Sequence, residues 1–164
     1  KCAYLNLKGE HTTMDSQERV YRVSGSWTGD LHGQGLIENE RGTLRTEFAI
    51  PKNFGGPGGL TNPEEIFLAS ACSCYLITLA MIAEKMKLPV TALNCSAEGH
   101  VISDEFDGYH FKEIHLFPHI ELEGDESQYD EAIARAVSLA EQRCIISRAV
   151  KGSVKYEIQH TVAV

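Results

Sequence analysis

The 164 residues suit one domain with an adequate core, and 43% apolar with 23% charged residues is an ordinary soluble composition. A formal charge of -8, with no basic block, argues against nucleic acid or an anionic membrane as the main partner. The five cysteines are too few and too unevenly spaced for a secreted disulfide scaffold, so the expectation is a cytoplasmic protein with reduced thiols.

Residues 1–18 are polar and aperiodic and read as a peripheral N-terminal segment, followed by a single domain over 19–164. Alternation in "RVYRVSGSW" (19–27) predicts a strand with Tyr21, Val23 and Trp27 on one face. "LIENERGTLRTEFAI" (36–50) predicts two short strands about a turn at Arg41 and Gly42, the second pointing Leu44, Phe48 and Ile50 inward. The glycine-rich "PKNFGGPGGLTNPEE" then delivers the chain into a helix. Asn62 is placed as N-cap, Pro63 as first helical residue, and Glu65 as the reciprocal side of a capping box.

This helix is uncharged from Ile66 to Ala83, which approaches the length of a membrane span, about 17–25 residues. Ser70, Ser73, Tyr75 and Thr78 dilute the run, so it reads as a helix buried at the centre of a soluble protein. Nothing breaks it before Pro89, and Lys85 and Lys87 fall in its last turns.

"ALNCSAEGHVI" (92–102) predicts a strand with Leu93, Cys95, Ala97 and Val101 on one face, and "HFKEIHLFPHIEL" (110–122) another with Ile114, Leu116, Ile120 and Leu122. A second helix follows at about 128–143, with Ile133, Ala136, Val137 and Ala140 as its apolar stripe and Cys144 continuing that face. "GSVKYEIQHTVAV" reads as a final strand. The order implies an α+β domain with helices segregated against antiparallel sheets.

Several constellations read as structure. The glycine loop lacks a G-K-[ST] signature, and Glu64 and Glu65 would repel a phosphate at that helix start. His115 and His119 share a strand face with about 13 Å between them, too far to hold one ion, and His110 reads as a surface residue. Cys72 and Cys74, two apart on a helix, diverge by about 200° and make a poor chelate. No metal site is expected. Cys2 and Cys95 read as structural or incidental, and Cys72 as a small packing residue. For Cys74 and Cys144 the pattern leaves packing and a redox pair both open, because a reactive thiol needs an electropositive, reachable setting.

Three stretches in this order, "WTGDLHGQGLIENERGTL", "PKNFGGPGGLTNPEEIFLASACSCYL" and "RCIISRAVKGSVKYEI", resemble the OsmC/Ohr family of thiol-dependent hydroperoxidases. The resemblance runs from about Trp27 to the last strand. Its most specific piece is T-N-P-E-E with a cysteine ten places after the first glutamate, met by Glu64 and Cys74. A second cysteine in a C-x-x-S setting follows, met by Cys144 and Ser147.

The resemblance implies an OsmC-like fold in an intertwined homodimer, with a peroxidatic thiol at Cys74 and a resolving thiol at Cys144. It implies reduction of organic hydroperoxides in oxidative-stress defence, at a site lined by Phe67, Leu68, Tyr75 and similar side chains. An external dithiol of lipoyl or thioredoxin type would be the reductant, and no metal, flavin or haem is needed. Glu64 is the motif carboxylate at the site. The family arginine that meets the thiolate has no counterpart in "TGDLHGQG"; Arg45 is the nearest substitute, with Lys52 and Arg148 behind it. A non-enzymatic OsmC-like protein holding an apolar ligand in the same cleft is the alternative.

Overall fold

Contacts divide the chain of this computed structural model into two units, Lys1–Leu60 and Thr61–Val164. Residues 4–5, 11–12, 18–105 and 108–163 are described. Cys2 and most of the predicted 1–18 segment lie outside them.

In the first unit, β1 (Tyr4–Leu5) and β2 (His11–Thr12) pair antiparallel. Next come β3 (Val23–Thr28), β4 (Gln34–Asn39) and β5 (Arg45–Phe48), an antiparallel sheet in that order. The predicted turn closes where the Gly42 N–H donates to the Asn39 carbonyl at 3.0 Å, with Gly42 at φ 68°. Burial is shallower than the alternation suggests. Tyr21, Val23 and Leu44 are exposed, and among the described residues of this unit only Gly35 and Ala49 are buried. Three strands without a second layer in their own unit leave an apolar face short of cover. What is covered is local: Phe48 packs on Trp27 with ring centroids 5.7 Å apart, and its ring lies where a Cβ on Gly35 would sit.

The second unit opens with α1 (Pro63–Met86). Asn62 is its N-cap, accepting the Glu65 N–H at 2.9 Å. The predicted reciprocal bond is replaced: the Glu65 carboxylate accepts from the Thr61 hydroxyl at 2.7 Å. The long hairpin β6 (Val90–Asp104) and β7 (Gly108–Leu122) follows, then α2 (Asp130–Arg143), α3 (Ile145–Val150), β8 (Lys155–Ile158) and β9 (Thr161–Ala163).

The sheet is mixed rather than wholly antiparallel, because β8 and β9 both run parallel to β7. The chain leaves the end of β7 and returns through α2 and α3, and such a crossover brings the next strand back in the same direction. The single predicted last strand is two, broken at Gln159 and His160. That break falls opposite Phe117 and Pro118 of β7, and proline cannot donate to a ladder.

The core forms between the helices and the inner face of β7. Tyr75, Leu79 and Ile82 of α1 meet Leu116, Ile120 and Leu122 of β7 and the predicted Ile133–Ala140 stripe of α2. Each fully buried aliphatic side chain there is worth about 1.5–3 kcal/mol. Near its start α1 lies close over β6: a Cβ on Gly99 would come within 3.0 Å of Leu68 and 2.6 Å of Phe111. The sequence places this helix at the buried centre, and within one chain that holds for one of its faces. α1 buries one face, while Ala69, Ser73, Ile77, Ala80 and Met81 are exposed on the other, Ile77 by 63%.

Candidate active site

Cys74 and Cys144, 70 residues apart in sequence, are in contact: their sulfurs lie 2.9 Å apart, with the Cys144 thiol donating to Cys74. Both are free thiols. Cys74 is held by α1 on a partly buried face. The next residue, Tyr75, is fully buried and donates its hydroxyl to the Val137 carbonyl of α2 at 3.3 Å. Tyr75 was expected to line a substrate cleft; it belongs to the core instead.

Cys144 is the junction of two helices. It is the C-cap of α2, its N–H donating to the Ala140 carbonyl at 2.8 Å, and the N-cap of α3, with extended φ and ψ of -60° and 122°. An N-cap side chain accepts from the amide three residues on, and here sulfur does so: the Ser147 N–H donates to Cys144 Sγ at 3.4 Å. This gives the C-x-x-S spacing a physical reason. Ser147, which the sequence reading noted only as motif, orients the thiol. Cys144 is 0% exposed. Burial first, and the Cys74 sulfur second, push its thiol up from the ordinary value, so Cys144 is the protonated donor of the pair. Cys74 alone of the two is open to an approaching molecule.

The other candidates sit as follows. Glu64 lies in the first turn of α1, and its Oε2 is buried with no hydrogen-bond partner among the described residues. Arg45, in β5 of the first unit, pairs with the Glu38 carboxylate across the strands and keeps a side chain 64% exposed. Lys52 begins a short 3-10 turn in that unit. Arg148 is in the same unit as both cysteines, where it lines a cavity of about 490 Å³ with Lys151, Ser147 and Tyr156. Among the described residues no group of three or more metal-ligating side chains is gathered. His115 bonds Glu113 at 3.0 Å and His119 bonds Thr161 at 2.8 Å.

A model of the OsmC-like protein family matches residues 56–159, which hold both cysteines and Glu64. The chain belongs to the OsmC family. It is 36% identical over 143 residues to the uncharacterized protein YmaD of Bacillus subtilis, covering 87% of this chain and 93% of that one. It is 27% identical over 137 residues to peroxiredoxin OsmC of Escherichia coli, covering 81% and 91%. Among solved structures, an organic hydroperoxide resistance protein OsmC from Legionella pneumophila superposes with a TM-score of 0.67 at 24% identity, covering 90% of this chain and all of that one. The α+β architecture is therefore the OsmC fold, and names in the family point to peroxide chemistry.

Proposed function

We propose that the chain is a thiol-dependent peroxidase that reduces organic hydroperoxides in the cytoplasm as part of oxidative-stress defence. The observation that carries this reading is the contact between an accessible Cys74 and a buried, protonated Cys144. Cys74 thiolate attacks the distal peroxide oxygen; the O–O bond breaks, the alcohol leaves with a proton, and Cys74 becomes a sulfenic acid. The Cys144 sulfur then displaces the hydroxyl as water and closes the disulfide. An external dithiol of lipoyl or thioredoxin type restores both thiols by exchange.

Two further parts belong to the proposal. A cation activates Cys74; we assign the role to Arg45, with Lys52 and Arg148 as alternatives. The working species is a homodimer, a reading supported by the exposed apolar stripe of α1 through Ile77 and Met81.

The test is stoichiometric cumene hydroperoxide followed by a non-reducing peptide map. A Cys74–Cys144 link formed at the expense of one peroxide supports the enzyme. Unchanged thiols, with the hydroperoxide recovered intact, would leave only the ligand-binding alternative.

A further inference from the structure

Two more cysteines, Cys72 and Cys95, touch where α1 crosses β6, and the peroxidase scheme uses neither. Cys72 donates its thiol to the Cys95 backbone carbonyl at 3.1 Å. Cys95 lies on the inward row of β6, packed against the core, with its own sulfur reaching the Ser96 carbonyl at 3.4 Å. Both residues are partly buried, and both are free. One helical turn before Cys72, Leu68 lies over Gly99, whose missing Cβ lets α1 approach the strand. A packing role alone needs no sulfur at either position, and it does not need two sulfurs on facing residues.

We propose that Cys72 and Cys95 form a second redox pair, closing a disulfide between α1 and β6 when a hydroperoxide or another two-electron thiol oxidant reaches them. With a hydroperoxide, the Cys72 sulfur takes the distal oxygen, the O–O bond breaks, and the alcohol leaves with a proton. The Cys95 sulfur then displaces the hydroxyl from Cys72, and that hydroxyl leaves as water with the Cys95 proton. Two thiols give up two electrons, and one peroxide becomes an alcohol and water. Burial, with Cys72 beside it, pushes the Cys95 thiol up to about 12. Cys95 therefore stays protonated as the resolving partner, the part Cys144 takes toward Cys74. The bond would tie α1 to the sheet two residues before Cys74 and constrain the chain between residues 72 and 95.

The experiment uses the Cys2→Ser, Cys74→Ser, Cys144→Ser chain, which keeps only this pair, and diamide as an oxidant that needs no peroxidase activity. The expected result is loss of both thiols in step, a peptide map joining residues 72 and 95, and a higher thermal midpoint that dithiothreitol reverses. Cumene hydroperoxide should give the same link. A link with diamide alone still supports the pair and removes the hydroperoxide as its oxidant, so failure of the peroxidase reading does not decide this one. Persistent thiols under diamide, purely intermolecular links, or sulfinic acid at Cys72 beside a free Cys95 would overturn it. The same map on the unaltered chain covers a variant that fails to fold: a 72–95 link is expected there, and its absence under diamide also overturns the proposal.

Discussion

The Tyr75 hydroxyl bonds the Val137 carbonyl at 3.3 Å, tying α1 to α2 one residue after Cys74 and about two helical turns before Cys144. This single bond spans the two elements that hold the sulfurs together. Tyr75→Phe keeps the ring and removes the tie. The expected cost is about 1 kcal/mol of stability, read by urea denaturation. Closure of the Cys74–Cys144 disulfide should also slow, measured by quenched alkylation after a peroxide pulse. Unchanged closure in a destabilised variant would make the bond structural only.

The division of labour between cysteines has its own signature. Cys74→Ser should abolish peroxide turnover. Cys144→Ser should allow one attack and then accumulate oxygen additions at Cys74, seen by mass spectrometry. Cys72→Ala should keep most activity. Equal losses in the Cys72 and Cys74 variants would sink the assignment.

Acid stability should carry the mark of Glu113. Its carboxylate accepts from His115 first and from Lys155 second, which lowers its pKa from 4.5 to about 2. Lys155 is also its register partner, so the pair helps hold β8 parallel to β7. A depressed folded-state pKa gives stability that is full above the unfolded value and is lost as pH falls through the folded one. The window is therefore from 4.5 down to about 2. Glu113→Gln should lower the thermal midpoint at neutral pH, where the ionised carboxylate stabilises fully, and flatten its fall across that window, so that the two chains converge in acid.

Helix α1 ends in strain that can be relieved. Lys87 caps it in the left-handed region at φ 57°, where a Cβ crowds the following carbonyl and glycine does not. Lys87→Gly should raise stability by up to about 1 kcal/mol, read as a higher urea midpoint with an unchanged slope.

These residues also separate what could be read ahead of the structure from what could not. The start of α1 was legible because Asn62 and Pro63 act within one turn, and the inner face of β7 because alternation is a local period. The direction of β8 was not, since it follows from the crossover through α2 and α3 rather than from its own residues. Neither glycine nor proline marks the break at Cys144; the helix there simply yields to an extended backbone, and the sulfur caps the next one. The residue pattern left packing and chemistry open for Cys74 and Cys144, and family resemblance supplied the pairing. Cys72 and Cys95 were each read alone, because a helix-to-strand contact leaves no spacing rule to find.

Glu64 and Cys74 lie on one unbroken helix, about 15 Å apart along its axis and roughly 80° apart around it. They cannot meet within one chain. Yet the Glu64 carboxylate has a buried oxygen with no partner among the described residues, which an isolated capping residue has no reason to keep. Two α1 helices packed antiparallel about a two-fold axis could bring Glu64 of one chain close to Cys74 of the other. There it would orient the activating cation. Co-expressing Glu64→Gln chains with Cys74→Ser chains and isolating the mixed dimer tests this. A site shared between chains regains one complete Glu64–Cys74 pair, so peroxide turnover should rise well above either parent, toward half that of the unaltered dimer. A mixed dimer no more active than its parents would return Glu64 to the role of a helix-start carboxylate and place the whole site within one chain.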